Sequence, residues 1–389
     1  MRYYLIAGEA SGDLHASRLM MQLREADPEA HFRFYGGDAM RAAGGELVRH
    51  YSTMAYMGFV QVAMHLDEIL ENMSDCKSDI AKWQPDALIL IDYPGFNLSI
   101  AKWAHKHLPG TKVCYYISPK IWAWKSYRLK SIRRYVDLML SILPFEVEWY
   151  AERGYTVNYV GNPTVDELHA LLATPKAASA EKYVLLMPGS RRAEVRDNLR
   201  VMLAATQGMG PRIIAGAPGL EPSFYDEVLE KCGLDSSDVQ VRFNQTHQLM
   251  RHAQVAAVTS GTATLEAAYL DCPQVVCYNF KGGMVVYNAM KLALRAIRYV
   301  SLVNLLVYGV TGDKSLPDER HAAVCELLGP YLNARTLREQ LAKIWDDNSP
   351  SRIEMLRNYA TMRERLGEPG APKRAAEAIL ELLNNKRKQ

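Results

Sequence analysis

Three segments of this chain join a strand-like apolar run to a turn of small, hydroxyl-bearing and charged residues. Gly8-Glu9-Ala10-Ser11-Gly12-Asp13 follows Tyr3–Ala7, and Pro188-Gly189-Ser190-Arg191 follows Tyr183–Met187. Ser260-Gly261-Thr262-Ala263-Thr264-Leu265-Glu266 follows Val255–Thr259. Such a junction aims backbone N–H groups and the positive end of a helix at whatever lies beside it. Ser260, Gly261 and Thr262 suit a diphosphate, and Glu266, one turn further in, is placed to accept both hydroxyls of a ribose. The same residues also read as plain capping, with a hydroxyl at the N-cap and a Glu favoured by the dipole. Gly189, Ser190 and Arg191 in the same half of the chain favour the nucleotide. Arg191 sits where a guanidinium clamps a diphosphate bidentately and stabilises charge on a leaving nucleotide. Arg192 is expected at the surface.

Asp92 ends the apolar run Ala87–Ile91 and precedes Tyr93-Pro94-Gly95-Phe96-Asn97. Strand C-termini are where α/β folds place catalytic groups, and a carboxylate there takes a proton from an acceptor hydroxyl. A turn or cap aspartate is the alternative, since Pro and Gly nearby are typical of turns. Glu9 and Ser11, on the first turn of the same half, are candidates for acceptor binding or for tuning that base.

Two further segments carry surface chemistry. Ser118-Pro119-Lys120-Ile121-Trp122-Ala123-Trp124-Lys125 leads into a basic helix whose inner face is Leu129, Ile132 and Val136. Its aromatic and basic residues suit a single-stranded nucleic acid, the phosphate of an anionic lipid, or a solvated face. Phe59, Val62, Leu66, Ile69 and Met73 share one helical face, which reads as core or, if exposed, as a patch for acyl chains.

Apolar runs alternate with helical patterns throughout, so the elements that position these residues belong to an α/β fold with mainly parallel sheets. The strands read in the first half are Tyr3–Ala7, Phe32–Tyr35, Ala87–Ile91, Lys112–Ile117, Leu138–Leu143 and Asn158–Val160. Those in the second half are Tyr183–Met187, Arg212–Ala215, Val239–Phe243, Val255–Thr259 and Gln274–Tyr278. Leu14, Leu19, Met20 and Leu23 are expected on the inner face of the first helix. The organisation expected is two Rossmann-like domains facing across a cleft, residues 1–173 and 181–366. A Pro-bearing linker at 174–180 joins them, and a C-terminal helix at 367–389 returns to the first domain.

The 389 residues suffice for two cores, and 49% apolar against 23% charged content marks a globular chain. A formal net charge of +3 is too small to argue for nucleic acid as a partner. None of the six cysteines forms a CxxC pair, so buried thiols are expected and no metal site. No GxGxxG follows either first strand and no GxxxxGK[ST] occurs, which disfavours dehydrogenases and excludes a P-loop. The opening apolar run is short and reads as a first strand rather than a signal peptide. No run reaches the roughly 18 apolar residues of a spanning helix. A cytoplasmic protein is expected, with any membrane contact peripheral.

At these residues the chain resembles the lipid-A-disaccharide synthases, glycosyltransferases of the two-Rossmann GT-B type. The matching segments, in the family's order, are Gly8–Asp13, Met57–Val60, Asp92–Asn97, Ser118–Trp124, Leu143–Glu146, Gly189–Glu194, Ser260–Glu266 and Tyr299–Leu306. The resemblance implies transfer of a 2,3-diacylglucosamine unit from UDP to the 6-hydroxyl of 2,3-diacylglucosamine 1-phosphate (lipid X). The product is a β-1,6 disaccharide, formed with inversion at the cytoplasmic face of the inner membrane of a Gram-negative cell, without a cofactor. It implies Asp92 as base, Glu9 and Ser11 as first-turn site residues, Arg191 and Glu266 as UDP contacts, and Asn304 near the donor. Gly95 stands where many members carry a second acidic residue, so Asp92 alone is carried over there. A homodimer is a candidate assembly. The competing classes are a UDP-sugar 2-epimerase, which shares this fold, and a non-catalytic nucleotide-binding membrane protein.

Overall fold

The structure is a computed structural model describing residues 1–53, 66–175, 182–234, 238–279, 283–293, 297–311 and 322–387. The chain divides into two compact units, residues 1–166 with 368–389, and residues 167–367. Each is built on one parallel sheet. The first sheet holds β1 (Arg2–Ala7), β2 (His31–Gly36), β3 (Glu46–His50), β4 (Ala87–Ile91), β5 (Lys112–Tyr116), β6 (Leu138–Ser141) and β7 (Asn158–Tyr159). Its order is β3-β2-β1-β4-β5-β6-β7. The second holds β8 (Val184–Met187), β9 (Arg212–Gly216), β10 (Gln240–Phe243), β11 (Val255–Thr259), β12 (Gln274–Tyr278) and β13 (Cys325–Leu328). Its order is β10-β9-β8-β11-β12-β13.

Central strands covered on both faces must be apolar along their whole length, and every residue of β4 is fully buried. The edge strands β3 and β13 escape the sequence reading for the converse reason. Glu-Leu-Val-Arg-His and Cys-Glu-Leu-Leu are short and charged, with little full burial, so no apolar run announces them.

In both sheets the strand order reverses beside the first strand, between β1 and β4 and between β8 and β11. That switch point is where a doubly wound sheet opens a crevice at its carboxyl edge. Ala7 pairs with Ile91, which sets Gly8 beside Asp92, and Met187 pairs with Val258. A buried asparagine braces each junction. Asn97 Nδ2 donates to the carbonyls of Ile91 (3.2 Å) and Asp92 (2.8 Å). Asn198 Nδ2 donates to the Pro188 carbonyl (3.0 Å) and to Thr259 Oγ1 (2.9 Å).

On the first helix, Ala10–Ala26, the buried face is Ala16, Leu19, Met20 and Leu23, each at 0% exposure, whereas Leu14 is 39% exposed. The expectation for Leu14 is therefore corrected. At 100° per residue it falls off the stripe that Ala16 completes. Asp13, the last residue of the first glycine-bearing turn, faces inward. It accepts N–H bonds from Gly37 (2.7 Å), Ala39 (2.9 Å) and Met40 (3.1 Å), closing the start of the helix Asp38–Ala43. Asp13→Ala should therefore lower unfolding stability by about 3 kcal/mol, because three N–H groups lose one shared acceptor. Urea unfolding followed by circular dichroism measures this.

The C-terminal helix, Ala371–Arg387, belongs to the first unit and packs Ala375, Ala376, Ile379 and Leu383 into its core. Asp166 caps it, accepting from the N–H groups of Gly370 (2.6 Å) and Ala371 (3.2 Å). In the second unit Arg251 donates to Thr174 Oγ1 (2.7 Å) and to its carbonyl (2.6 Å). Residues 176–180 of the expected linker lie outside the described residues.

Candidate active site

At the rim of the first unit, Asp92 and Tyr93 adopt φ of +43° and +47°. Two successive non-glycine residues in the left-handed region are strained, and such strain concentrates at functional sites. The surrounding hydrogen bonds hold it. Asp92 N–H donates to the Tyr116 carbonyl (3.1 Å), and its own carbonyl accepts from Tyr115 Oη (2.5 Å) as well as from Asn97. The Asp92 N–H and carbonyl are thus both held without its carboxylate. Asp92 is half-buried, and burial raises its pKa above the usual aspartate range, opposed by the Lys120 charge and the Tyr93 N–H. A carboxylate pushed upward is a stronger base.

Glu9 is the N-cap residue of Ala10–Ala26 and is half-buried, and Ser11 is exposed on the first turn. The negative charge of Glu9 helps push the Tyr93 hydroxyl upward, after burial. Gly8 is obligatory, because a Cβ there would lie 2.5 Å from Tyr93 Cγ. Beside this rim Glu146, which the sequence reading quoted in a motif and gave no role, is 1% exposed and bonded to Trp122 Nε1 at 2.9 Å.

The second unit holds a cleft of about 890 Å³ at its switch point. Gly189, Ser190, Arg191, Ser260, Gly261, Thr262 and Glu266 all line it. Gly189 has φ +116°, a conformation that glycine alone adopts easily, and turns the chain from β8 into the helix Arg192–Thr206. Arg191 is that helix's N-cap residue, 67% exposed, with Nη1 2.6 Å from Glu194 Oε1. The helix Thr262–Tyr269 opens on the same cleft from β11. Two helix N-termini and the Arg191 guanidinium, paired with Glu194 of the same lining, turn N–H donors into the cleft, suited to a diphosphate.

Glu266 sits one turn into that helix, and its Oε2 lies 3.3 Å from His247 Nε2. His247 was not singled out in the sequence. It follows Asn244, whose φ is +57°, at the carboxyl end of β10, and this strand-end position is the signal that could have found it. The bond to Glu266 holds the imidazole pKa above its ordinary value, against burial, and the charges of Glu266 and Glu167 add to this.

Asn304 is not brought to the cleft. It is fully buried, exchanging bonds with Val324 at 3.0 Å each way, while its Nδ2 also donates to Glu326 Oε1 (2.7 Å). Glu326 in turn accepts from the N–H groups of Val300 (3.0 Å) and Ser301 (2.8 Å). Asn304 thereby braces the entry to the helix Leu302–Tyr308. Of the expected acyl-facing residues, Phe59 and Val62 lie outside the described residues. Leu66 opens the helix Leu66–Trp83, and Ile69 is half-buried on it beside an exposed Leu70. Among the described residues no group of three His, Cys, Asp or Glu side chains is gathered as a metal site would need.

A family model described as lipid-A-disaccharide synthetase matches residues 3–323. The chain is 36% identical to the lipid-A-disaccharide synthase of Myxococcus xanthus, over 98% of this chain and 97% of that one. It is 35% identical to the enzyme of the same name from Geobacter metallireducens, over 99% and 98%. Among solved structures it is similar to a putative UDP-N-acetylglucosamine 2-epimerase from Listeria monocytogenes, with TM-score 0.61, 13% identity and coverage of 98% and 94%. It is also similar to the calicheamicin glycosyltransferase CalG4, with TM-score 0.56, 15% identity and coverage of 99% and 98%. These two structural likenesses speak for the fold alone.

Proposed function

The chain belongs to the lipid-A-disaccharide synthase family, and from that premise we propose how its two rims divide the reaction. The enzyme joins UDP-2,3-diacylglucosamine to lipid X and releases UDP. The first unit supplies the base and the second holds the leaving group. Asp92 takes the proton of the acceptor 6-hydroxyl as that oxygen bonds to the donor's anomeric carbon. The bond from that carbon to the UDP oxygen breaks on the opposite face, and the configuration inverts to β. Glu9 and Ser11 bind the acceptor. Arg191, Ser190 and the N–H groups at Gly189 and at Ser260–Thr262 take up the charge of the departing diphosphate. Glu266 holds the ribose, and Asn304 acts from behind by bracing its segment.

One observation carries this reading. The two switch points hold different chemistry, a strained carboxylate of raised basicity in one unit and, in the other, an 890 Å³ cleft lined by two helix N-termini and the Arg191 guanidinium. The test is a mass-spectrometric assay with purified protein, both acylated substrates, detergent and EDTA. Acylated disaccharide 1-phosphate appearing with UDP supports the proposal. UDP binding without product overturns it.

In this proposal Phe59, Val62, Leu66 and Ile69 hold the acyl chains. No helix among the described residues is long and apolar enough to cross a membrane. Trp124 and Tyr127 are 55% and 68% exposed beside the basic helix Leu129–Tyr135. These exposed rings beside cations support peripheral attachment at the cytoplasmic face of the inner membrane. Flotation with anionic liposomes tests it.

The His247–Glu266 pair makes UDP affinity depend on pH. Below its raised pKa His247 is a cation beside a carboxylate, and its charge favours an anionic nucleotide. As pH rises through that pKa the charge is lost and affinity falls, by about two- to fivefold for a partly exposed pair. Calorimetric titration with UDP from pH 6 to 8.5 should show this loss in the wild type, in excess of any change in His247→Gln.

A further inference from the structure

The stretch Ser118–Trp122 is clamped from beneath. Glu146 accepts from Trp122 Nε1 at 2.9 Å and from Ser141 Oγ, and one turn later Tyr150 Oη lies 2.9 Å from Ser118 Oγ. The helix Phe145–Ala151 therefore pins both ends of the stretch. Ile121 and Trp122 are 2% and 5% exposed, and the Trp122 ring meets Phe145 edge-on at 5.1 Å. The stretch leaves β5 through Ile117 at φ +68°, a conformation that β-branched residues rarely adopt. Between buried neighbours on a strained, pinned loop, Lys120 alone is turned out to solvent. Among the described residues no carboxylate forms an ion pair with its ammonium.

Its location is set by the sheet. Tyr116 of β5 pairs with Ile91 of β4, and the Tyr116 carbonyl accepts from Asp92 N–H. Lys120 thus leaves the strand adjacent to that of Asp92, four residues past the paired position, and its charge acts on both Asp92 and Glu146. A cation carried on a pinned loop whose charge reaches the base, yet bonded to no carboxylate among the described residues, suits an anionic group on the molecule whose proton that base removes. The acceptor of the reaction carries such a group, a phosphate on C1, across the ring oxygen from the carbon that bears its reacting hydroxymethyl.

We propose that Lys120 holds the acceptor's 1-phosphate and that Glu146, acting through Trp122, is the positioning residue that keeps Lys120 there. This rests on the transferase reading given above. Lysine acts as a point charge on phosphate, so the effect is on acceptor recognition rather than on bond breaking.

The experiment compares kcat and KM for lipid X and for the same diacylglucosamine without its phosphate, in wild type, Lys120→Ala, Lys120→Arg and Trp122→Phe. Lys120→Ala should raise KM for lipid X about tenfold and collapse the preference for the phosphorylated acceptor. Lys120→Arg should restore most of that preference. Trp122→Phe, which removes the bond to Glu146 and trims the buried ring, should raise KM for lipid X while UDP affinity holds. An active wild type whose preference survives Lys120→Ala overturns this inference alone. So does a shifted pH profile of kcat with unchanged KM, since Lys120 would then only tune Asp92. A wild type that makes no disaccharide overturns the transferase reading together with it.

Discussion

Asp92→Asn is expected to cut disaccharide formation by about 10³- to 10⁴-fold, toward the upper range for losing a general base, while UDP binds as before. The amide keeps the shape of the carboxylate and an oxygen to accept the Tyr93 N–H, and the other tethers of the strained turn run through the Asp92 backbone. Tyr116, Tyr115 and Asn97 all engage the N–H or carbonyl of Asp92. The variant should therefore fold normally, and kcat beside a calorimetric UDP titration reads the two effects separately. Near-normal turnover removes Asp92 from the base role. Glu9→Gln, at the neighbouring strand end, then decides whether that carboxylate takes its place. The wild type carries a further signature. Burial raises the Asp92 pKa, and only the deprotonated form accepts a proton. Turnover should fall as pH drops through that raised pKa, and the asparagine variant should lose this acid limb.

Arg191→Ala should lower kcat by about 10²- to 10³-fold, the scale for deleting one donor to a developing negative charge, and weaken UDP binding as well. The guanidinium is 67% exposed and its partner Glu194 lies on the same turn, 2.6 Å away. An exposed pair of this kind adds little to stability, so the loss measures the ligand interaction rather than folding. Arg191→Lys separates charge from geometry. It restores a cation without the planar fork that grips two phosphate oxygens, so partial recovery of affinity with kcat still depressed is the expected pattern. Steady-state kinetics and UDP titration on both variants provide the check. Full activity in Arg191→Ala would show that the helix N-termini suffice.

Much of this could be read along the chain because it is local. A buried parallel strand must be an apolar run, and a short turn of glycine, proline or polar residues follows where the backbone swings into a helix. Both switch points, with Glu9, Asp92 and Arg191 just past strand ends and Glu266 one turn into the following helix, are read from local patterns of this kind. The strands β3 and β13 stayed hidden because an edge strand with polar neighbours needs no apolar run.

Which neighbour each side chain meets was decided by the tertiary structure. Asp13 and Ser11 share one turn, yet packing of the next helix makes the first an internal cap and leaves the second exposed. Glu146 gains its place only when the helix bearing it lies beneath a loop 24 residues earlier in the chain. His247 and Glu266 lie 19 residues apart, and the parallel sheet brings them within 3.3 Å. Asn304, expected near a donor, is drawn inward by Val324 and Glu326. The physical reason is the range of the forces. Hydrophobic periodicity and turn chemistry act over a few residues and leave their mark in sequence. Hydrogen bonds between distant side chains exist only after the sheets have set the distances.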